Sequence, residues 1–201
     1  MAYSDFTLER VENELGTTVT TVANLFGTIA PVAPSDWLVQ TLERLMPLAL
    51  RVNSEKARSE FIIAPVLGEV QYQVQTEISL FSGKEFNVDA SKGLTGRCDF
   101  LMSRKPNSYT ITAPVVAIVE AKNEDMVSGL GQCIAEMVAS QLFNQKAGKV
   151  IPVIYGVVTT GASWQFLKLE EQTAWIDSTE HYIDRVDVIL GILLGCIRST
   201  F

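Results

Sequence analysis

The sequence predicts an α/β fold in three layers, a central mixed sheet flanked by helices, with a helical N-terminal extension. Three observations predict it. The run Val115-Val116-Ala117-Ile118-Val119 is continuously apolar, as expected of a central strand covered on both faces. The segment from about Asp125 to Asn144 places Met126, Leu130, Ile134 and Met137 at helical spacing, which marks one apolar helix face. A second buried strand, Ile151 to Thr159, follows it, and a strand, helix, strand order implies a layered α/β core.

The remaining elements follow in chain order. Residues 1–50 are expected to form an all-helical or loop extension, with Thr17 to Thr21 β-leaning or irregular. Ser35 or Asp36 can cap a helix from Trp37 to Val52, bent by Pro47. Ser54 caps a second helix, Glu55 to Leu67. Strands are expected at Gln71 to Phe81, Arg97 to Met102 and Pro114 to Ala121. Past the central helix and its strand, Ser163 to Leu169 and Thr173 to Ile176 form an antiparallel pair, and a helix closes the chain from Ile183 to Ile197. The 201 residues suit a single domain, divided into the extension 1–50, a core 54–160, and a hairpin with its helix, 161–201.

Composition excludes several classes. Apolar residues make up 47% of the chain and charged residues 19%, so it can build a full core. No apolar run reaches the ~18–20 residues that span a bilayer. The first residues, Met1 to Glu14, carry acids and no apolar stretch, so no signal peptide is expected and a cytoplasmic setting is. Cys98, Cys133 and Cys196 are isolated and His181 is the only histidine, which leaves a zinc cluster without ligands. The cysteines read as small buried hydrophobes, and nothing near them supports a Cys–His181 nucleophile.

The net charge of −7 argues against a constitutive nucleic-acid binder. The acidic excess lies in residues 1–50 and 151–201, however, and 51–150 is balanced.

Chemistry is sought in that balanced middle. Glu120 and Lys122 are two apart on a strand, so they share a face. They lie at the C-terminal end of the central strand, where open α/β sheets bind ligands. Such a pair can hold a divalent metal and orient water, or be an ordinary ion pair at a solvated strand end. Asp99 lies among apolar neighbours on the preceding strand. If the two strands are adjacent, Asp99 and Glu120 converge and suit magnesium; otherwise Asp99 pairs with Arg97 or caps a turn. Glu60 shares a helix face with Ala57 and Ala64 and is expected to point inward, toward a metal or toward Lys56 and water. Gln132 and Glu136 lie four apart on the next helix, after Gly129 and Gly131, whose missing side chains permit close approach. Gln132 can reach the site or a phosphate, or belong to a solvated face.

Glu60 on a helix, Asp99 on a strand, Glu120-Ala121-Lys122 on the next strand and Gln132 on a helix together resemble the PD-(D/E)XK nuclease superfamily. The helix Ser59 to Leu67 is similar to the first helix of the nuclease domains in type I restriction enzymes. The resemblance covers about residues 54–160 and implies a restriction endonuclease-like core. It further implies that Asp99, Glu120 and the Ala121 carbonyl bind magnesium, or manganese, with Glu60 supporting the attacking water. Lys122 would orient that water or stabilise developing charge, and Gln132 would assist. Cys98 rather than proline precedes Asp99, a departure that many members tolerate. The implied function is a magnesium-dependent nuclease acting on DNA, with a homodimer compatible with double-strand cleavage. The alternative is a nuclease-fold binding or regulatory module without turnover.

Overall fold

The computed structural model describes residues 1–199 as a single sheet packed between two layers of helices. In chain order the elements are α1 (Leu8–Leu15), β1 (Thr18–Val22), α2 (Asp36–Val52), α3 (Glu55–Arg58), α4 (Ala64–Gln73), β2 (Ser79–Glu85), β3 (Arg97–Ser103), β4 (Val115–Ala121), α5 (Met126–Lys146), β5 (Val153–Thr159), β6 (Ser163–Glu170), β7 (Thr173–Asp177), β8 (His181–Tyr182) and α6 (Val186–Ser199). A π-helical turn, Ser59–Ile63, joins α3 to α4.

Eight strands form the sheet in the order β1-β7-β6-β5-β4-β3-β2, with β8 paired to β6. The β1–β7 and β4–β5 pairs are parallel and the others antiparallel, so the sheet is mixed as expected. The crossover between β4 and β5 is α5, whose side-chain cap is Asp125 accepting from Ser128. One face of the sheet carries a core built with α2, α4 and α6, through Leu38, Val66 and Leu193 among others. The other face packs on α1 and α5 through Val11, Ile134 and Met137. Every residue of β4 is buried, which is why that strand alone is continuously apolar up to Glu120. No helix among the described residues is long and apolar enough to cross a membrane.

Two expectations need correction. Residues 1–50 are not all-helical, because Thr18–Val22 forms β1 and pairs in parallel with β7. Local propensity leaned that way; the partner lies more than 150 residues on, where no local pattern reaches. The helix expected to stop at Leu67 runs on to Gln73, and the strand expected from Gln71 begins only at Ser79. Val70-Gln71-Tyr72-Gln73-Val74 alternates like a strand, but Val66, Val70 and Val74 are also four apart and all enter the α-side core. Helical packing wins. The expected helix α2 does run to Val52 with Pro47 inside it. Pro47 and Glu43 are both exposed, so water can satisfy the Glu43 carbonyl that proline leaves without a donor.

Candidate functional site

β3 and β4 are antiparallel neighbours, with Phe100 opposite Val119 and Leu101 opposite Ile118. Asp99 and Glu120 are the next residues outward, at the end of the pair. Here β3 departs from regular geometry. Strict alternation would put Cys98 with Phe100 and Met102 on the α4 side, yet Cys98 joins Leu101 in the core under α5. Gly83, on β2 between Ser82↔Phe100 and Lys84↔Cys98, has φ 61°, a conformation open to glycine without a Cβ clash. At this irregularity Asp99 lines a cavity of about 290 Å³ together with Glu55, Ser59, Glu60, Arg97 and Ala121. Its Oδ2 accepts a hydrogen bond from the Ala121 backbone N–H at 2.9 Å. Arg97 pairs with Glu85 instead of Asp99, at 3.4 Å.

Glu120 is 2% exposed. Lys122 Nζ donates to Glu120 Oε1 at 2.6 Å and to Gln132 Oε1 at 3.2 Å. Gln132 Nε2 in turn donates to Oε1 of the fully buried Glu136 at 3.1 Å. The chain therefore runs from β4 into the middle of α5. Among the described residues Glu120 Oε2 has no hydrogen-bond partner, an uncommon and costly condition for buried oxygen, while the Cys98 thiol lies within reach of the Glu136 carboxyl.

The electrostatics follow from this crowding. Burial, reinforced by Asp99 and partly offset by Lys122, pushes the Glu120 carboxyl up to about 8. Burial also raises Asp99, against the opposing pull of the Ala121 N–H and Lys122. Glu136 is raised well above the usual carboxylate range, by burial first and Glu120 second. For Lys122, burial works against the ammonium, but Glu120, Glu55 and Asp99 together outweigh it and raise it overall. Three carboxyl groups thus lean on one ammonium, and the cluster is short of positive charge.

Two glycines on α5 permit this packing. A Cβ at Gly129 would lie 2.7 Å from Val158 Cγ1 and 3.1 Å from Lys122 Cγ, and one at Gly131 would lie 2.4 Å from the Phe6 carbonyl oxygen. The close approach expected at these glycines is to the protein's own lysine and backbone.

The expected residues are not equally placed. Glu120, Lys122 and Gln132 come together against α5, and Asp99 joins Ala121 in the neighbouring cavity, where its charge is felt at Glu120. Gln132 is half-buried on a helix enclosed on most sides, not on a solvated face. Glu60 does not point inward: its side chain is 52% exposed and pairs with Lys56 at 3.3 Å, on the rim of the Asp99 cavity. Its i,i+4 pair with Lys56 holds it on that rim, and the π turn Ser59–Ile63 breaks the regular spacing from Glu60 to Ala64 on which the inward expectation rested. The helical acid whose charge is felt at both Glu120 and Lys122 is Glu55, which spacing alone did not single out.

Among the described residues no three His, Cys, Asp or Glu side chains form a ready metal cage. The donor set on offer is smaller: two carboxylates and the Ala121 carbonyl. An orphaned buried oxygen in a cluster short of positive charge fits a hard cation such as magnesium. No protein-family model matches the chain, and no curated protein matches its sequence.

Proposed function

We propose that this chain is a magnesium-dependent nuclease, hydrolysing phosphodiester bonds in DNA on a restriction endonuclease-like core, with manganese able to substitute. The observation that carries the reading is Glu120: one oxygen is held by Lys122, the other meets no donor among the described residues, and Asp99 stands on the neighbouring strand. Asp99, Glu120 and the Ala121 carbonyl would hold the metal, with Glu60 and Glu55 as acids at the cavity rim. When bound, the metal would neutralise charge on the scissile phosphate and ease ionisation of the attacking water.

The protein's own groups do the rest. Lys122 lies where an ammonium can orient water or stabilise the charge that develops as water adds to phosphorus and the ester bond breaks. Gln132 keeps that ammonium directed by accepting its second hydrogen bond. Arg97 and Lys56, lining the same cavity, supply the positive charge that would draw a phosphate backbone in. Three free, buried cysteines suit the reducing cytoplasm in which we place the protein. The net charge of −7 favours a second reading, a nuclease-fold module without turnover.

Nicking of supercoiled plasmid with magnesium, manganese or a chelator separates the two. Cleavage is expected with either metal and none with chelator, with DNA binding that weakens steeply as salt rises. If the protein neither binds a divalent cation at millimolar concentration nor nicks DNA, the nuclease reading fails.

A further inference from the structure

The first turn of α2 and the last turns of α4 meet at a cleft that the proposed chemistry does not use. It has a volume of about 370 Å³ and is lined by Ser35, Trp37, Gly68, Glu69 and Tyr72. Trp37 is 56% exposed and Tyr72 is 66% exposed, while Glu69 between them is 2% exposed. Two large aromatic side chains left in water beside a buried carboxylate form an unusual combination, because charged groups are rarely buried without a countercharge. Among the described residues no lysine or arginine pairs with Glu69. Its oxygens accept instead from the Ser35 N–H at 3.2 Å, the Ser35 hydroxyl at 2.7 Å and the Gln73 amide at 2.9 Å.

Gly68 keeps the cleft open. It precedes Tyr72 by one turn of α4, and a Cβ built on it would meet no atom within 4 Å. Glycine inside a helix is unfavourable relative to alanine, and here its missing side chain leaves open space in the cleft that Gly68 and Tyr72 both line.

From this geometry we propose that the cleft binds a methylated ammonium group, such as a quaternary amine or a methylated lysine side chain. Aromatic faces attract cations through their quadrupoles, most strongly where water is excluded. The local charge agrees. The N-terminus of α2 contributes about half a positive charge and the C-terminus of α4 about half a negative one, so the helix ends offset each other. Glu69 and the first-turn acid Asp36 then leave the cleft negative. The hydrogen bonding selects the kind of cation. A carboxylate offers about four acceptor positions, and three are already filled, so a primary ammonium would find little to receive its protons. A cation clothed in methyl groups needs field and aromatic contact only. The same negative field disfavours a nucleic-acid strand stacking its bases on Trp37.

The inference is independent of the nuclease reading. It is tested on the full chain with choline and with its uncharged carbon analogue, in which tert-butyl replaces trimethylammonium. Calorimetric titration gives affinity, and the Trp37 indole N–H resonance, assigned by its loss in Trp37→Phe, reports the place. Choline is expected to bind and shift that resonance, with the analogue weaker by roughly tenfold. Gly68→Leu, which fills the slot, should abolish binding. Tyr72→Ala, an exposed position, should weaken it by roughly tenfold if Gly68→Leu does not fold. The proposal is overturned if choline fails to bind at up to about 100 mM, if the analogue binds as well, or if filling the slot changes nothing. A mononucleotide that shifts the Trp37 resonance where choline does not would assign the cleft to base stacking instead.

Discussion

The backbone N–H of Ala121 donates to Asp99 Oδ2 at 2.9 Å, so the acid of β3 is anchored to the residue between Glu120 and Lys122. One oxygen of Asp99 is used in holding the two strand ends together, and its charge bears on Glu120 across the same gap.

On the proposed nuclease reading, that anchor lets metal binding and chemistry be tested apart. Asp99→Asn can keep an acceptor for the Ala121 N–H while losing the charge, and Asp99→Ala loses both. Either should abolish magnesium binding and cleavage together, because one anionic ligand leaves a divalent cation underneutralised. Lys122→Ala should leave magnesium binding intact or tighter, since a nearby positive charge is gone, while cleavage falls by about 10²–10³. Calorimetric magnesium titration beside plasmid nicking measures both quantities. A Lys122→Ala protein that cuts at the parental rate would reduce Lys122 to a structural partner of Glu120.

The raised Glu120 carboxyl makes a statement about pH. Its folded value is about 8 against an ordinary 4.5, so below pH 4.5 both states hold the proton and its stabilising contribution is fully present. As pH rises toward 8 the unfolded chain releases that proton and the folded one is penalised for doing so, and the contribution is lost. With chelator present, stability should therefore decline across this window by at least about 1 kcal/mol, a melting-temperature fall of roughly 2–4 °C. Glu120→Gln should flatten the decline, and magnesium should reverse it in the parent protein. Thermal melts across pH, with and without metal, decide it; a flat parental profile would contradict the burial argument.

Glu136 reaches Lys122 only through Gln132. Glu136→Gln keeps the volume but removes the fixed acceptor that sets the Gln132 amide. We expect folding stability to be kept or raised, because a buried acid disappears, with cleavage slowed by about 10–100-fold. The loss should fall on kcat and leave KM alone. Unchanged turnover would limit Glu136 to packing.

Gly129 touches both the core and the lysine. Gly129→Ala must displace Val158 or the Lys122 stem, which should cost about 1–3 kcal/mol through overpacking and slow cleavage as the ammonium moves. Chemical denaturation and the nicking assay read the two effects. Full stability with full activity would mean that α5 can slide away from β5 without harm.

Much of this protein was legible from local pattern. The apolar run of β4, the long α5 after it, the β6–β7 hairpin and the capped α2 each follow from side-chain period and capping chemistry, which act over a few residues. The same reach put Glu120 and Lys122 on one face and made Asp99 an acid needing a partner. What local pattern could not supply was pairing and rotation. That Thr18–Val22 becomes a strand depends on β7, far along the chain. That Val70 belongs to a helix and Val74 ends it depends on the core that receives them both. Glu60 sits outward in its pair with Lys56, beside a π turn with no mark of its own in the sequence, and Glu55 gained its influence because α3 lies over the ends of β3 and β4. Likewise only tertiary packing joined Glu120 to Glu136 through Lys122 and Gln132, since burial and proximity across elements set that charge balance, and neither is a property of any short stretch of chain.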